Sequence, residues 1–240
     1  MTIEFVSYPK SGRTWIRYML RTLELDHRLV FHHDGFEFNS HDRAPHNFDR
    51  EPRRSRIEAA DKVIYMTRNP GDILVSLYHQ VTGRFADIFE YTGTVSNFVR
   101  DHHFGAQPLR QFREMWKELG ADPKCLVCNY EDFHRDAEHS LMRLLDHLQM
   151  RVDTQRVRTA VSQGRFDKMQ TVELGGTFSD PWLRPRNGAL KVRLGRMEAY
   201  RLALDATDVL YLENMFPELK TSVFGNESGN DLGIDKPVGY

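Results

Sequence analysis

The sequence has little cysteine, with Cys125 and Cys128 the two among 240 residues. They stand in Lys124-Cys125-Leu126-Val127-Cys128-Asn129-Tyr130, which reads as a buried strand. Residues three apart on a strand face opposite sides, which disfavours a mutual disulfide or a shared ligand pair. No second C-x-x-C follows to complete a zinc site, so both thiols read as ordinary core residues. Charge of one sign is also lacking. A formal net charge of −1 removes global basicity as an argument for a nucleic-acid partner. Long apolar runs are absent, so no helix is expected to span a membrane. The chain opens directly on a strand, without a basic segment leading into an apolar stretch, and a soluble, cytoplasmic protein is the expectation. Histidine is plentiful, at 11 residues. The pairs His32-His33 and His102-His103 lack the i, i+4 spacing of a helical metal site, and neighbours on a strand point apart, so no metal is expected. No internal repeat or low-complexity block occurs.

What is present is an alternation of strands and helices. Strands are expected at 3–7, 28–33, 62–67 and around Cys125. Helical spacing appears at 16–23, from Pro70 to about residue 83, at 95–102, 109–119 and 152–162, and in the leucines at 141, 144, 145 and 148. A last helix covers 206–216, with Asp205 as its N-cap. Residues 36–56 and 175–195 read as long loops. Alternating strands and helices predict a single α/β domain, with a mostly parallel central sheet flanked by helices. Residues 1–216 form that domain, and 217–240 are expected to be a loosely held tail. In such sheets ligands bind beyond the carboxyl ends of the strands, where the opening turn, His33, Arg68 and Tyr130 all fall.

The stretch Tyr8-Pro9-Lys10-Ser11-Gly12-Arg13-Thr14-Trp15 joins the first strand to the first helix. Gly12 allows close backbone approach, and the following amides point outward at the positive end of the helix. That arrangement suits a phosphate-like anion, in the manner of a P-loop. Lys10 adds a cation, and Ser11 and Thr14 add hydroxyl donors. The lysine precedes the glycine, so this is not a Walker A loop. A second cluster, Thr67-Arg68-Asn69-Pro70-Gly71-Asp72 through Ser76 and Tyr78, puts an arginine fork at a strand end. Ser76 reaches the same group only if its helix lies alongside.

The first of these stretches closely resembles the 5′-phosphosulfate loop of the sulfotransferases, usually YPKSGTTW, with Arg13 in place of a threonine. The second resembles that family's 3′-phosphate motif. Tyr130-Glu131-Asp132 resembles its YED, whose tyrosine contacts adenine. Phe166 resembles the aromatic of its S-F-x-x-M segment, which packs on the base. Arg193-Leu194-Gly195-Arg196 resembles the late R-K-G loop over the 3′-phosphate, with Leu194 in place of lysine and Lys191 or Arg196 as substitutes. The resemblance implies 3′-phosphoadenosine-5′-phosphosulfate as donor. It further implies binding by Lys10, Ser11, Gly12, Arg13, Thr14, Trp15, Arg68, Ser76, Tyr130, Phe166, Arg193 and Gly195. The family's K-x-x-x-T-V-x-x-x-E dimer motif is not seen, which leaves the oligomeric state open.

The implied reaction is in-line sulfuryl transfer to a hydroxyl, or less favourably an amine, of a small molecule or glycan. Such a transfer needs charge stabilisation, assigned to Lys10, and a base for the acceptor proton. In the family that base is a histidine ending the strand after the phosphosulfate loop. His33 matches this placement, with His46 and His41 as alternatives, while His32 should face the other way. Two rivals are an ATP-dependent kinase-like phosphoryl transferase, with Asp72 as a magnesium carboxylate, and a non-catalytic sensor of the 3′,5′-bisphosphate nucleotide. The acceptor would be set by the segments 34–56, 84–94 and 175–195.

Overall fold

The computed structural model describes residues 1–221 apart from positions 42, 177, 179, 193 and 194, with backbone alone at 181 and 221. Strand β1 (Ile3–Ser7) leads through a tight turn into helix α1 (Arg13–Thr22), which buries Ile16, Met19 and Leu20 on the face that the apolar spacing predicts. A 3-10 turn at Asp26–Arg28 precedes β2 (Leu29–His32), one residue shorter at each end than expected. Next come α2 (Glu51–Ala59), β3 (Lys62–Thr67) and α3 (Pro70–His79), which continues into a π-helical turn at Gln80–Arg84. Helices α4 (Ala86–Phe89), α5 (Val95–Val99) and α6 (Ala106–Leu119) then lead to β4 (Cys125–Asn129). Beyond β4 lie α7 (Tyr130–Arg135), α8 (Ala137–His147), α9 (Thr154–Gln163) and α10 (Phe166–Gly175). The described chain closes with α11 (Tyr200–Ala203), α12 (Ala206–Met215) and α13 (Glu218–Thr221). Asp205 caps α12 by accepting from the Asp208 amide, as expected.

The described strands form one sheet in the order β2-β1-β3-β4, every pair parallel. Phe5 stands opposite Phe31 and Ile64, and Ile64 opposite Leu126. These side chains share one face, covered by α1, α8 and α9. The alternate residues Val6, Val63 and Tyr65 face the other way, under α3, α5 and α6. This period-two alternation also separates the cysteines. Cys125 packs with the second face and Cys128 with the first, and both are free. Burial pushes their thiols up to about 11 and about 12 respectively, so neither is a thiolate at neutral pH.

Both expected loops contain regular structure, and further helices lie where none was expected. The segment 36–56 is not wholly loop, because α2 begins at Glu51. A helix that spacing does not announce, α10, carries Phe166. The 175–195 segment contains a 3-10 turn at Pro181–Leu183 and an antiparallel bridge between Arg186 and Ala189. Of the residues assigned to the tail, 218–221 form α13 with Leu219 buried, and 222–240 lie outside the described residues. No described helix is long and apolar enough to cross a membrane.

Candidate active site

The carboxyl ends of all four strands open on one cavity of about 690 Å³. At the end of β1, Lys10 has φ 72° and Gly12 φ 96°, so the turn passes twice through the left-handed region. Gly12 is also required by space, since a Cβ there would stand 2.4 Å from the Tyr130 ring. The amides of Arg13 and Thr14 open α1, where no preceding helical turn offers them a carbonyl, and both residues line the cavity. Ser11 is buried, and its hydroxyl has no hydrogen-bond partner among the described residues. A buried, unsatisfied hydroxyl beside free amides is the signature of a site shaped for an anion.

Arg68 follows β3 immediately. It donates from Nη1 to the Lys10 carbonyl at 3.1 Å and lies 4.3 Å over the Tyr130 ring, while its Nε has no partner among the described residues. Asn69 caps α3 by accepting from the Asp72 amide, and its own amide donates to Glu131 at 2.7 Å. Asp72 accepts from the amides of Glu198 and Tyr200. Burial pushes the Asp72 carboxyl up, while the Arg68 charge and these two amides hold it down. Ser76 lines the same cavity from α3, as the sequence requires for it to join Arg68.

On the other side of α1, Trp15 packs edge-on against Tyr130 at 5.5 Å and Phe133 at 6.2 Å, with its indole N–H unpartnered among the described residues. Phe166 is 37% exposed into this aromatic rim. Gly195, with φ 57°, lies so close that a Cβ would stand 2.7 Å from the Phe166 ring. Arg193 and Leu194 lie outside the described residues. Lys191 and Arg196 both line the cavity.

His33 sits just past β2 and lines the cavity. Its Nδ1 donates to the Ser7 carbonyl at 2.8 Å, which leaves Nε2 as an acceptor. Nε2 is met by Arg13 Nη2 at 2.6 Å. Burial, and then the Arg13 charge, hold His33 well below the ordinary histidine range, against the Ser7 carbonyl. His32 does face the other way, with Nε2 at 2.8 Å from Glu4. His46 lies outside this cavity. Its Nε2 donates to the His103 carbonyl and its ring stacks on His103 at 4.5 Å, beside a smaller hollow of about 170 Å³. His41 lines neither cavity. Among the described residues no three His, Cys, Asp or Glu side chains gather as a metal site.

The family model described as the sulfotransferase domain matches residues 3–177. The chain belongs to the sulfotransferase domain family. Among curated relatives, the amine sulfotransferase of Oryctolagus cuniculus is 25% identical over 70% of this chain and 62% of its own length. Cytosolic sulfotransferase 13 of Arabidopsis thaliana is 29% identical over 61% of this chain and 53% of its own. Human sulfotransferase 2B1 is 29% identical over 45% and 30%. The matches thus span less than two thirds of these relatives' lengths. Among solved structures, mouse sulfotransferase SULT7A1 complexed with PAP superposes with a TM-score of 0.67 at 20% identity, over 92% of this chain and 84% of that one. Retinol dehydratase with androsterone and PAP gives 0.66 at 15% identity, over 95% and 82%. At these identities the likeness establishes the shared fold.

Two buried carboxylates hold segments that border this cavity without appearing among the expected site residues. Asp34, at φ 56° beside His33, accepts from Arg53, Arg56 and the Trp116 indole, so β2 ends on a fixed charge network. Removing one partner of a buried ion network costs about 3–5 kcal/mol. Asp34→Ala should therefore lose stability of about that size in urea denaturation, and a loss under about 1 kcal/mol would show the network to be idle. Glu173, fully buried on α10, accepts from the amides of Lys191 and Val192 at 2.6 and 2.8 Å and from Arg84 at 3.4 Å. Arg84 also donates to the carbonyls of Arg184 and Ala189, which ties the 184–192 segment down over the cavity. Both carboxylates sit on long-range contacts, and charged residues at core positions leave no apolar period to find.

Proposed function

We propose that this chain transfers a sulfuryl group from 3′-phosphoadenosine-5′-phosphosulfate to the hydroxyl of a small-molecule or glycan acceptor. The observation carrying the reading is the convergence of the Lys10–Thr14 turn, Arg68, Tyr130 and His33 on one cavity at the strand ends. The residues present fit such a donor. The amides of Gly12, Arg13 and Thr14, with Ser11, suit its phosphosulfate. The buried, unpartnered Nε of Arg68, with Ser76, suits its 3′-phosphate, and Trp15, Tyr130 and Phe166 offer ring faces for adenine. Both solved neighbours hold PAP, which supports the same donor.

In the transfer, the acceptor oxygen bonds to sulfur as the bond from sulfur to the 5′-phosphate oxygen breaks. The acceptor proton passes to His33 Nε2, once Arg13 has released that atom. Lys10 offsets charge gathering on the departing phosphate oxygen. Neutral His33, fixed as the Nδ1–H tautomer by Ser7, is in the protonation state that a base requires.

The test is a screen of hydroxyl and amine acceptors with sulfate-labelled donor, read by label transfer and by added sulfate mass. Transfer supports the proposal. Tight PAP binding with no turnover across the library would favour a nucleotide sensor instead, and label transfer from ATP would favour a kinase. Within the proposal, Arg68→Ala should weaken PAP binding by about 10- to 100-fold in calorimetry, the usual scale of a lost charge-assisted bond. An unchanged affinity would remove Arg68 from the nucleotide site.

A further inference from the structure

The residue that departs from the family's loop carries a charge that Glu37 offsets only at a distance. Arg13 enters the cavity as a cation whose Nη2 bonds His33 and whose Nη1 is buried with no hydrogen-bond partner among the described residues. No ion pair to Arg13 occurs among the described residues either. Glu37, the carboxylate whose charge acts on it, lines the same cavity and accepts from the His33 amide at 3.2 Å. Burial, and then the charge of Arg17, lower Arg13 to about 10. Lys191 beside it is pressed down by burial and by the charges of Lys10, Arg84 and Arg13, and its Nζ donates to the Trp182 carbonyl. Cations therefore outnumber carboxylates at this end of the cavity. A buried arginine fork without a carboxylate is costly unless an anion arrives to meet it.

Direction within the fold says which substrate brings that anion. Arg13 and Arg17, one helical turn apart, leave α1 on the side of His33, Phe31 and Trp182. Trp15 leaves it on the side of Tyr130 and Phe133, where the nucleotide base is assigned. The vacant Nη1 is thus within one guanidinium width of the atom that takes the acceptor proton.

We propose that the acceptor is an anionic hydroxy compound, bearing a carboxylate or another anionic oxygen group near its hydroxyl, and that Arg13 selects it. The inference rests on the sulfotransferase reading. Binding of the anion by Nη1 draws the guanidinium off His33 Nε2 and frees the base only when a charged acceptor is in place. An arginine that both recognises the anion and uncaps the base couples specificity to turnover.

The experiment uses matched acceptors, hydroxybenzoates and uronic acids each offered as the free acid and as its methyl ester, with the intact chain and with Arg13→Thr and Arg13→Lys. PAP affinity is measured for each variant by calorimetry. The expected result is a kcat/KM at least about tenfold higher for the acid than for its ester. Arg13→Thr should abolish or invert that ratio, and Arg13→Lys should keep part of it, while PAP affinity stays within about threefold. Esters used as well as acids, or no acid used at all by a chain that binds PAP, would overturn the proposal. So would a PAP affinity about tenfold weaker in Arg13→Thr, because Arg13 would then serve the donor. A chain that neither binds PAP nor transfers sulfate would overturn the sulfotransferase reading itself, a separate outcome.

Discussion

Lys10→Ala should reduce kcat by about 10²- to 10³-fold, the scale seen when one preorganised charge-stabilising group is removed. The side chain springs from a left-handed residue, φ 72°, whose carbonyl is held by Arg68 at 3.1 Å. Alanine accepts that backbone as poorly as lysine does, so the substitution removes the cation without altering the turn. PAP affinity should change far less than turnover, because the loop amides and Arg68 stay in place and the charge at the departing oxygen peaks in the transition state. Single-turnover rates and PAP calorimetry on the same preparation separate the two. A kcat within about fivefold of wild type would assign the stabilising charge elsewhere, with Lys191 the first residue to test. Loss of Lys10 also relieves Lys191 of the first charge acting on it, so its amine should titrate higher in the variant.

The strand ends were legible because parallel sheets advertise themselves. Each strand is a short β-prone run, and within three residues of its end stands a side chain with a chemical group. Lys10, His33, Arg68 and Tyr130 could all be picked out in this way, and all line the one cavity. What the sequence hid shares a physical cause. Helix α2 presents Arg53 inward to Asp34, and α10 presents Glu173 inward to Arg84 and two backbone amides. A helix whose buried face carries an ion reads as polar loop, because apolar periodicity is the only period that a sequence displays. Arg13 shows a different limit. Its place in the loop was visible, but its bond to His33 joins residues from two strand ends, and only the register of β1 against β2 brings them together.

His33→Ala should lower kcat by about 10²- to 10⁴-fold, the range associated with a positioned general base. The pH profile tells this role apart from a structural one. Burial and the Arg13 charge depress His33, so the ring remains neutral as pH falls through the ordinary histidine value of about 6.5. The wild-type kcat/KM should accordingly stay flat through that value, with its acidic limb well below it. Arg13→Thr removes one of the depressing charges, so the limb should move to higher pH in that variant. Stability has the matching sign. The unfolded chain takes up a proton at His33 that the native chain refuses, so folding is favoured above pH 6.5 and loses ground as pH falls from there toward the native value. An acidic limb near 6.5 in the wild type, unmoved by Arg13→Thr, would mean that another group takes the proton. His46 is poorly placed to be that group, since its Nε2 is committed to the His103 carbonyl outside the main cavity. Near-full turnover in His33→Ala would then point to Lys191, a residue of the same cavity whose amine is held low by burial and by Lys10, Arg84 and Arg13.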